Sequence, residues 1–394
     1  MPYDFDSLLD RVPTNSIKWS YRRELAGRDD LIPMWVADMD FAVAPQIAEA
    51  VRARAAHPVY GYPGRPDGYF EAFRAWALRR YGWGIAREWL VHVPGVVPAV
   101  NLAVQAFTEP GDGVVIQGPV YHPFRQAAER NGRRVVDNPL RLVGTRWTFD
   151  LEDLGREADE GTKLLILSNP HNPVGRAWSR DELSALAELC ARKNLVVVSD
   201  EIHADLLEPG ARHVPFAAVS ADAAARSITC HSASKGFNIA GFNTACAVIP
   251  DSGLRARFEA MVARFGLGTP NAFGLVAQEA AYARGEAWLE ELLVYLRGNF
   301  ERLREALAPT PIIVHPLEGT YLAWLDCGAL MLDDAALKRF FIEMAGVWLD
   351  EGIKFGSEGS GFMRMNLACP RATLDEALGR IRDALEALPG VELA

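Results

Sequence analysis

Residues 227–236 read SITCHSASKG: an apolar, partly β-branched run, Ser227–Cys230, that ends abruptly in His231, Ser232, Ser234 and Lys235. Two other runs end the same way. Lys163–Leu167 (KLLIL) leads into SNPHNPVG, Ser168–Gly175, and Leu195–Ser199 (LVVVS) leads into Asp200, Glu201 and His203. Gly113–Gln117 (GVVIQ) and Ala245–Ile249 (ACAVI) are runs of the same kind. All are continuously apolar rather than alternating, the pattern of strands covered on both faces. Between them lie stretches with helical period. Arg180–Lys193 is opened by Ser179 with Glu182 in the place of a capping box. Strand alternating with helix implies an α/β domain with a mostly parallel sheet. Ligands collect beyond the carboxyl ends of such strands, so the three polar clusters are expected to face one edge.

Outward from this region the pattern changes. Residues 280–308 read as one long helix with apolar positions at Trp288, Leu289, Leu292, Leu293 and Leu296. Strands are expected at Ile312–Val314, Thr320–Leu325 and Gly361–Leu367, and helices at Ala335–Ala345 and Leu374–Leu388. That order describes a smaller α+β domain. The first forty-odd residues have weak periodicity and are expected to form an arm packed on another part of the molecule. The expected division is an arm over residues 1–45 that contributes to the small domain, a large domain over 46–288, and a small domain over 289–394. No Ser/Gly linker, low-complexity tract or internal repeat interrupts it.

The 394 residues are 49% apolar and 23% charged, which is ordinary globular composition and excludes collagen-like or disordered classes. A net charge of −10 argues against nucleic-acid binding, which needs a basic field. No run reaches the ~18 apolar residues of a membrane span. Asp4, Asp6 and Asp10 stand where a signal peptide carries cations. The five cysteines are scattered, with none in a CxxC pair, which suits buried thiols in a reducing compartment rather than a disulfide framework. A cytoplasmic protein is expected.

Each polar residue at the strand ends has an ordinary reading and a chemical one. Lys235 is a turn lysine, or a partly desolvated amine with a lowered pKa, suited to Schiff-base chemistry. Asp200 caps a following turn, or bonds a cationic heterocycle and keeps its ring nitrogen protonated. Asn172 belongs to turn chemistry in Asn172-Pro173-Val174-Gly175, and His203 suits a structural histidine. Ser232 and Ser234 would be routine loop serines if they did not flank the lysine. Pro94-Gly95-Val96-Val97 precedes a helix expected from near Pro98, an arrangement whose N–H groups favour an anion; an ordinary glycine turn reads the same. Tyr121 follows the GVVIQ run and is a core tyrosine or a platform for a planar ligand. In Phe362-Met363-Arg364-Met365-Asn366, period two puts Arg364 on a face away from the methionines. Its fork suits a carboxylate ligand or a buried ion pair equally.

Taken in chain order, Asn172, Asp200, Lys235 and Arg364 resemble the motifs of pyridoxal-phosphate (PLP) enzymes of the aspartate-aminotransferase fold. Several phrases are similar to the MalY/PatB-type carbon–sulfur lyases, the cystathionine β-lyase group. These are Met34-Trp35-Val36-Ala37-Asp38-Met39-Asp40-Phe41, Tyr60-Gly61-Tyr62, Ser199 to His203, Ser232-Ala233-Ser234-Lys235-Gly236-Phe237-Asn238-Ile239, Thr320 to Asp326, and Arg364-Met365-Asn366 with Cys369-Pro370-Arg371. One departure from the aminotransferases stands out: Asn243 occupies the position, eight after the lysine, where those enzymes carry a phosphate-binding arginine.

The resemblance implies the PLP-dependent transferase fold and a role for each residue. Lys235 would hold the cofactor covalently and act as base. Asp200 would bond the ring nitrogen, Asn172 and His203 the ring oxygen, and Tyr121 would stack on the ring. Val96, Val97, Ser232 and Ser234 would cradle the phosphate, with Tyr62 from a second subunit of a homodimer. Arg364 would clamp the substrate carboxylate beside the backbone of Ala37. The implied reaction is β-elimination from L-cystathionine or another cysteine S-conjugate, giving a thiol, pyruvate and ammonia. Transamination uses the same residues and is the alternative; a binding or regulatory protein on this fold is a third.

Overall fold

A computed structural model describes residues 3–388 of the chain. Its centre is a seven-stranded sheet of β1 (Leu90–Val93), β2 (Gly113–Ile116), β3 (Arg134–Asp137), β4 (Thr162–Ser168), β5 (Val196–Asp200), β6 (Ser227–His231) and β7 (Ala245–Val248). The spatial order is β1-β7-β6-β5-β4-β2-β3. Only β7 runs against its neighbours; the β6-β5-β4-β2-β3 pairs are parallel.

All five strands read from apolar runs are present. The two that sequence reading missed, β1 and β3, are the edges. β3 is four residues long, with charged Arg134 and Asp137 exposed at its ends. A charged edge of this kind discourages further strand pairing and erases the apolar run that marks an inner strand; in β1, Leu-Val-His-Val, all four residues are buried and His92 interrupts the apolar run. Inner strands are buried on both faces: Val114, Ile116, Leu164, Ile166, Val198 and Ile228 pack one side, and Val115, Leu165, Leu167 and Val197 the other. Each such side chain contributes roughly 1.5–3 kcal/mol relative to exposure. The helix Arg180–Arg192 begins with the expected capping box: Ser179 accepts from the Glu182 N–H, and Glu182 accepts from the Ser179 N–H.

The long helix expected over 280–308 is two, Ala272–Arg284 and Glu286–Leu307, broken at Gly285. A Cβ on Gly285 would lie 2.5 Å from Phe237 Cε1, so the break admits the Phe237 ring, which stacks on Trp288. The boundary expected at 288/289 therefore lies inside a helix. Trp288, Leu292 and Tyr295 of that helix pack with Phe5, Phe41 and Phe237, while Phe300, Leu303 and Leu307 pack with Met363, Met365 and Leu378.

A second sheet has the order β8-β9-β11-β10, from β8 (Ile313–Val314), β9 (Leu322–Asp326), β10 (Asp350–Glu351) and β11 (Phe362–Asn366), all antiparallel. The N-terminal arm pairs with this part of the chain through Ile32–Pro33, which lies parallel to Val347–Trp348 in a separate two-stranded sheet. The helix expected over Ala335–Ala345 is α-helical only over Asp334–Arg339 and widens to a π turn at Phe340–Met344. All five cysteines are buried and unpaired. Among the described residues no helix is long and apolar enough to cross a membrane, and no cluster has the makings of a metal site.

Candidate active site

Strands β4, β5 and β6 end side by side at Ser168, Asp200 and His231, and the register pairs Ser168 with Asp200 and Asp200 with Cys230. Their carboxyl ends open on a cavity of about 220 Å³. Ala37, Val96, Val97, Tyr121, Asn172, Asp200, His203, Ser234 and Lys235 all line it. Nine positions from six separate stretches of chain thus converge.

One wall is the first turn of the helix Val96–Phe107, which starts directly after Gly95 and two residues earlier than expected. The unpaired N–H groups of that turn and the positive end of the helix suit an anion. Ser234, Asn243 and Thr244 also line the cavity. Ser232 does not. Its hydroxyl donates to the Thr244 carbonyl at 2.7 Å, lies 2.6 Å from Ser234 Oγ and accepts the Ser234 N–H at 3.1 Å. Ser232 therefore orients two lining residues. Tyr62 stands apart at 97% exposure and does not reach the cavity of its own chain.

The deeper part carries the titratable groups. Asp200 is buried, and this raises its pKa to about 6 against the opposing Ile202 N–H bond at 3.0 Å and the charge of Lys235. Burial pulls Lys235 down to about 8, with Asp38 and Asp200 acting the other way. The Lys235 ammonium donates to the Ala37 carbonyl at 2.7 Å. His203 is held neutral by burial, with Lys235 and Arg364 adding to the effect, and its Nδ1 is buried without a partner. Asn172 is fixed by its N–H on Ser168 Oγ and by its Oδ1, which accepts Arg364 Nη1 at 2.8 Å.

Arg364 lies behind Asn172 and is itself buried. Nη2 donates to Asp350 at 2.8 Å and to the Trp35 carbonyl at 2.9 Å, and the guanidinium carbon sits 4.7 Å from the Phe355 ring centre. The structure shows the ion-pair reading of this arginine; Arg364 does not line the cavity and adjoins it only through Asn172.

Several positions given no role by sequence reading support the site. Asn238 accepts the Met39 N–H and donates to the Met39 and Phe41 carbonyls. Asn366 donates to the Val36 and Asp38 carbonyls, and Tyr321 to the Ala37 carbonyl. Only the placement of Asn238 close after the lysine hinted at such a duty.

The donor set suits a phosphorylated, planar, nitrogen-containing aldehyde, which is to say PLP. An anion fits the helix start. A cationic ring nitrogen would relieve the buried Asp200 carboxylate, and a ring oxygen would meet the orphaned polar atom of His203 and the side chain of Asn172. Lys235 supplies the amine, and Tyr121 the flanking ring.

Residues 29–381 match the family described as aminotransferase class I and II, and the chain belongs to that family. Among its relatives is the cystathionine β-lyase PatB of Bacillus subtilis, 45% identical over 386 residues, covering 97% of this chain and all of the relative. Cystalysin from Treponema denticola, whose crystal structure contains a pyridoxal 5'-phosphate cofactor, superimposes with a TM-score of 0.95 at 35% identity, covering 98% of this chain and all of that one. The PLP-bound C–S lyase from Staphylococcus hominis gives a TM-score of 0.91 at 34% identity, covering 97% and 98%.

Proposed function

We propose that the protein is a PLP-dependent carbon–sulfur β-lyase that cleaves L-cystathionine or related cysteine S-conjugates to a thiol, pyruvate and ammonia. The observation that carries this reading is near-full-length similarity to a cystathionine β-lyase in a chain whose Lys235, Asp200, Asn172 and His203 all line one cavity.

Bound PLP supplies an electron sink for the carbanion formed at the substrate Cα. The chain's own residues do the rest. Asp200, a buried carboxylate on the cavity wall, would hold the proton on the ring nitrogen by Coulomb attraction in a poorly screened site. Asn172 and His203 would hydrogen-bond the ring oxygen, and Tyr121 would flank the ring. The N–H groups of the first helical turn at Val96 and Val97, with Ser234, would hold the phosphate, and Ser232 keeps Ser234 in place. Lys235 Nζ takes the Cα proton: with a pKa near 8 a useful fraction is neutral at physiological pH. Arg364 binds the substrate carboxylate beside Ala37.

The alternative, transamination, is favoured by the family to which the chain belongs. The same lysine serves both reactions, so the assay must decide. Purified holoenzyme is incubated with L-cystathionine and no keto acid. Pyruvate and thiol should appear; product only when a keto acid is supplied would sink the lyase reading. A visible absorbance band that persists in Lys235→Ala, with no turnover of any substrate by the parent protein, would favour a binding role.

The proposal includes a homodimer in which Tyr62 of each subunit completes the phosphate site of the other. Its support is the 97% exposure of Tyr62, flanked by Val59 and Tyr60 at 64% and 60%. It also includes a reducing, cytoplasmic setting, which the buried unpaired thiols suit.

A further inference from the structure

The Arg364 guanidinium has five N–H donors, and their present partners restrict how it can take a ligand. Nη2 uses both of its protons, on Asp350 Oδ2 at 2.8 Å and on the Trp35 carbonyl at 2.9 Å. Nη1 uses one on Asn172. Nε is buried without a partner. A carboxylate gripped by two parallel hydrogen bonds needs either the Nη1/Nη2 edge or the Nε/Nη2 edge, and both include Nη2. Neither edge is free while Asp350 stays in place.

The position of Asp350 is set by the backbone. The antiparallel register of β10 and β11 pairs Asp350 directly with Arg364, so both side chains stand on the same face of the sheet. Both are buried, and the pair is poorly screened by water. The other carboxylate oxygen, Oδ1, is 3.4 Å from Lys354 Nζ, a half-exposed cation four residues on. A carboxylate leaving Arg364 thus has a second cation within reach.

We infer that Asp350 is an internal competitor for the substrate carboxylate: it occupies the Arg364 fork in the resting enzyme, and an amino acid binds by displacing it towards Lys354. The inference rests on the reading of Arg364 as the clamp for the substrate carboxylate. Asp350 is on this account a positioning residue. It holds the arginine in its bonding plane when the site is empty, and it sets a threshold that only a ligand with its own carboxylate overcomes. Amines without one gain nothing from the exchange, so Asp350 also sharpens selection for amino acids.

The test uses holoenzyme and two competitive inhibitors of cystathionine cleavage, L-alanine and ethylamine, which differ by the carboxylate. In Asp350→Asn the side chain keeps its shape and loses its charge. Inhibition by L-alanine should tighten by about tenfold or more, the scale of one hydrogen bond to a charged group, with ethylamine unchanged and KM for cystathionine lowered more than kcat is altered. Arg364→Met is the control for the underlying reading. It should bring the two inhibitors to similar strength; unchanged preference for L-alanine would remove Arg364 as the clamp. If Arg364→Met erases the preference but Asp350→Asn weakens L-alanine or leaves it unchanged, the clamp stands and the competitor inference is overturned. Equal weakening of both inhibitors in Asp350→Asn would mean a structural role and also overturns it. Asp350→Ser, smaller and neutral, repeats the measurement should the asparagine variant fold poorly.

Discussion

Lys235 Nζ donates to the Ala37 carbonyl at 2.7 Å, and the same oxygen accepts the Tyr321 hydroxyl at 2.9 Å. A residue of the N-terminal arm, a residue of the turn after β6 and a residue just before β9 thus meet at one carbonyl. The lysine is held in the cavity by a backbone acceptor with no charge of its own, which leaves burial free to lower its pKa.

Replacing Lys235 by alanine removes the proposed covalent anchor and base together. Cleavage of L-cystathionine should fall by roughly 10³-fold or more. The visible absorbance of the bound cofactor should be lost with it, while circular dichroism stays that of the parent.

Asp200 ties stability to pH in the cofactor-free protein. Its pKa is raised to about 6 from an ordinary 3.8, so the folded chain binds this proton more tightly than the unfolded one. Its stabilising contribution is complete below about pH 4 and is lost as pH rises through 6. Asp200→Asn should therefore stabilise the apoprotein at pH 7 by on the order of 3 kcal/mol, with the difference vanishing towards pH 4. Denaturant titrations of both proteins at the two pH values measure it. The same variant should lose most of its lyase activity, because a neutral amide cannot hold the ring proton.

Asn238 fastens the lysine-bearing turn to the arm through three bonds with the Met39 and Phe41 backbone. Its φ of +56° is one that asparagine tolerates better than most residues. Asn238→Ala should cost about 1–3 kcal/mol in unfolding free energy, and it should raise KM more than it lowers kcat, because the Ala37 carbonyl loses its fixed position.

Tyr62 has almost no contact with its own chain. Tyr62→Phe should leave thermal unfolding of the apoprotein unchanged within error and weaken PLP retention by about tenfold or more, from the ~1.5–3 kcal/mol of a hydrogen bond to a charged group. Cofactor release followed by absorbance, with sedimentation to verify the dimer, checks both statements; unchanged retention would remove Tyr62 from the phosphate site.

Inner strands and capping were readable because their causes are local: an unbroken apolar run is what a doubly covered strand requires, and Ser179 with Glu182 closes a helix end within four residues. Edge strands β1 and β3 were not, since His92 interrupts the apolar run of β1 and charged Arg134 and Asp137 leave only two apolar residues in β3. The break at Gly285 also escaped, because its reason is a ring from Phe237, far away in the chain. At the site, the polar strand ends announced Asn172, Asp200, His203 and Lys235 as candidates. The opposite faces of Arg364 and its flanking methionines followed from strand period.

By itself, then, the amino-acid order determined the parallel sheet, the strand ends where chemistry collects, and the residue types that suit PLP. Only the tertiary structure decided that Ser232 supports the cavity from behind while Ser234 lines it, that Ala37 faces the lysine, and that Asp350 sits in the fork of Arg364. The physical reason is range. Apolar periodicity and capping act over a few residues, whereas a hydrogen-bond partner or a pKa depends on which distant backbone the fold delivers. The −10 net charge illustrates the difference: it argued against nucleic acid from composition alone, yet the cavity has a helix N-terminus and Lys235 on its walls, with Arg364 behind. Local charge there is a product of the fold.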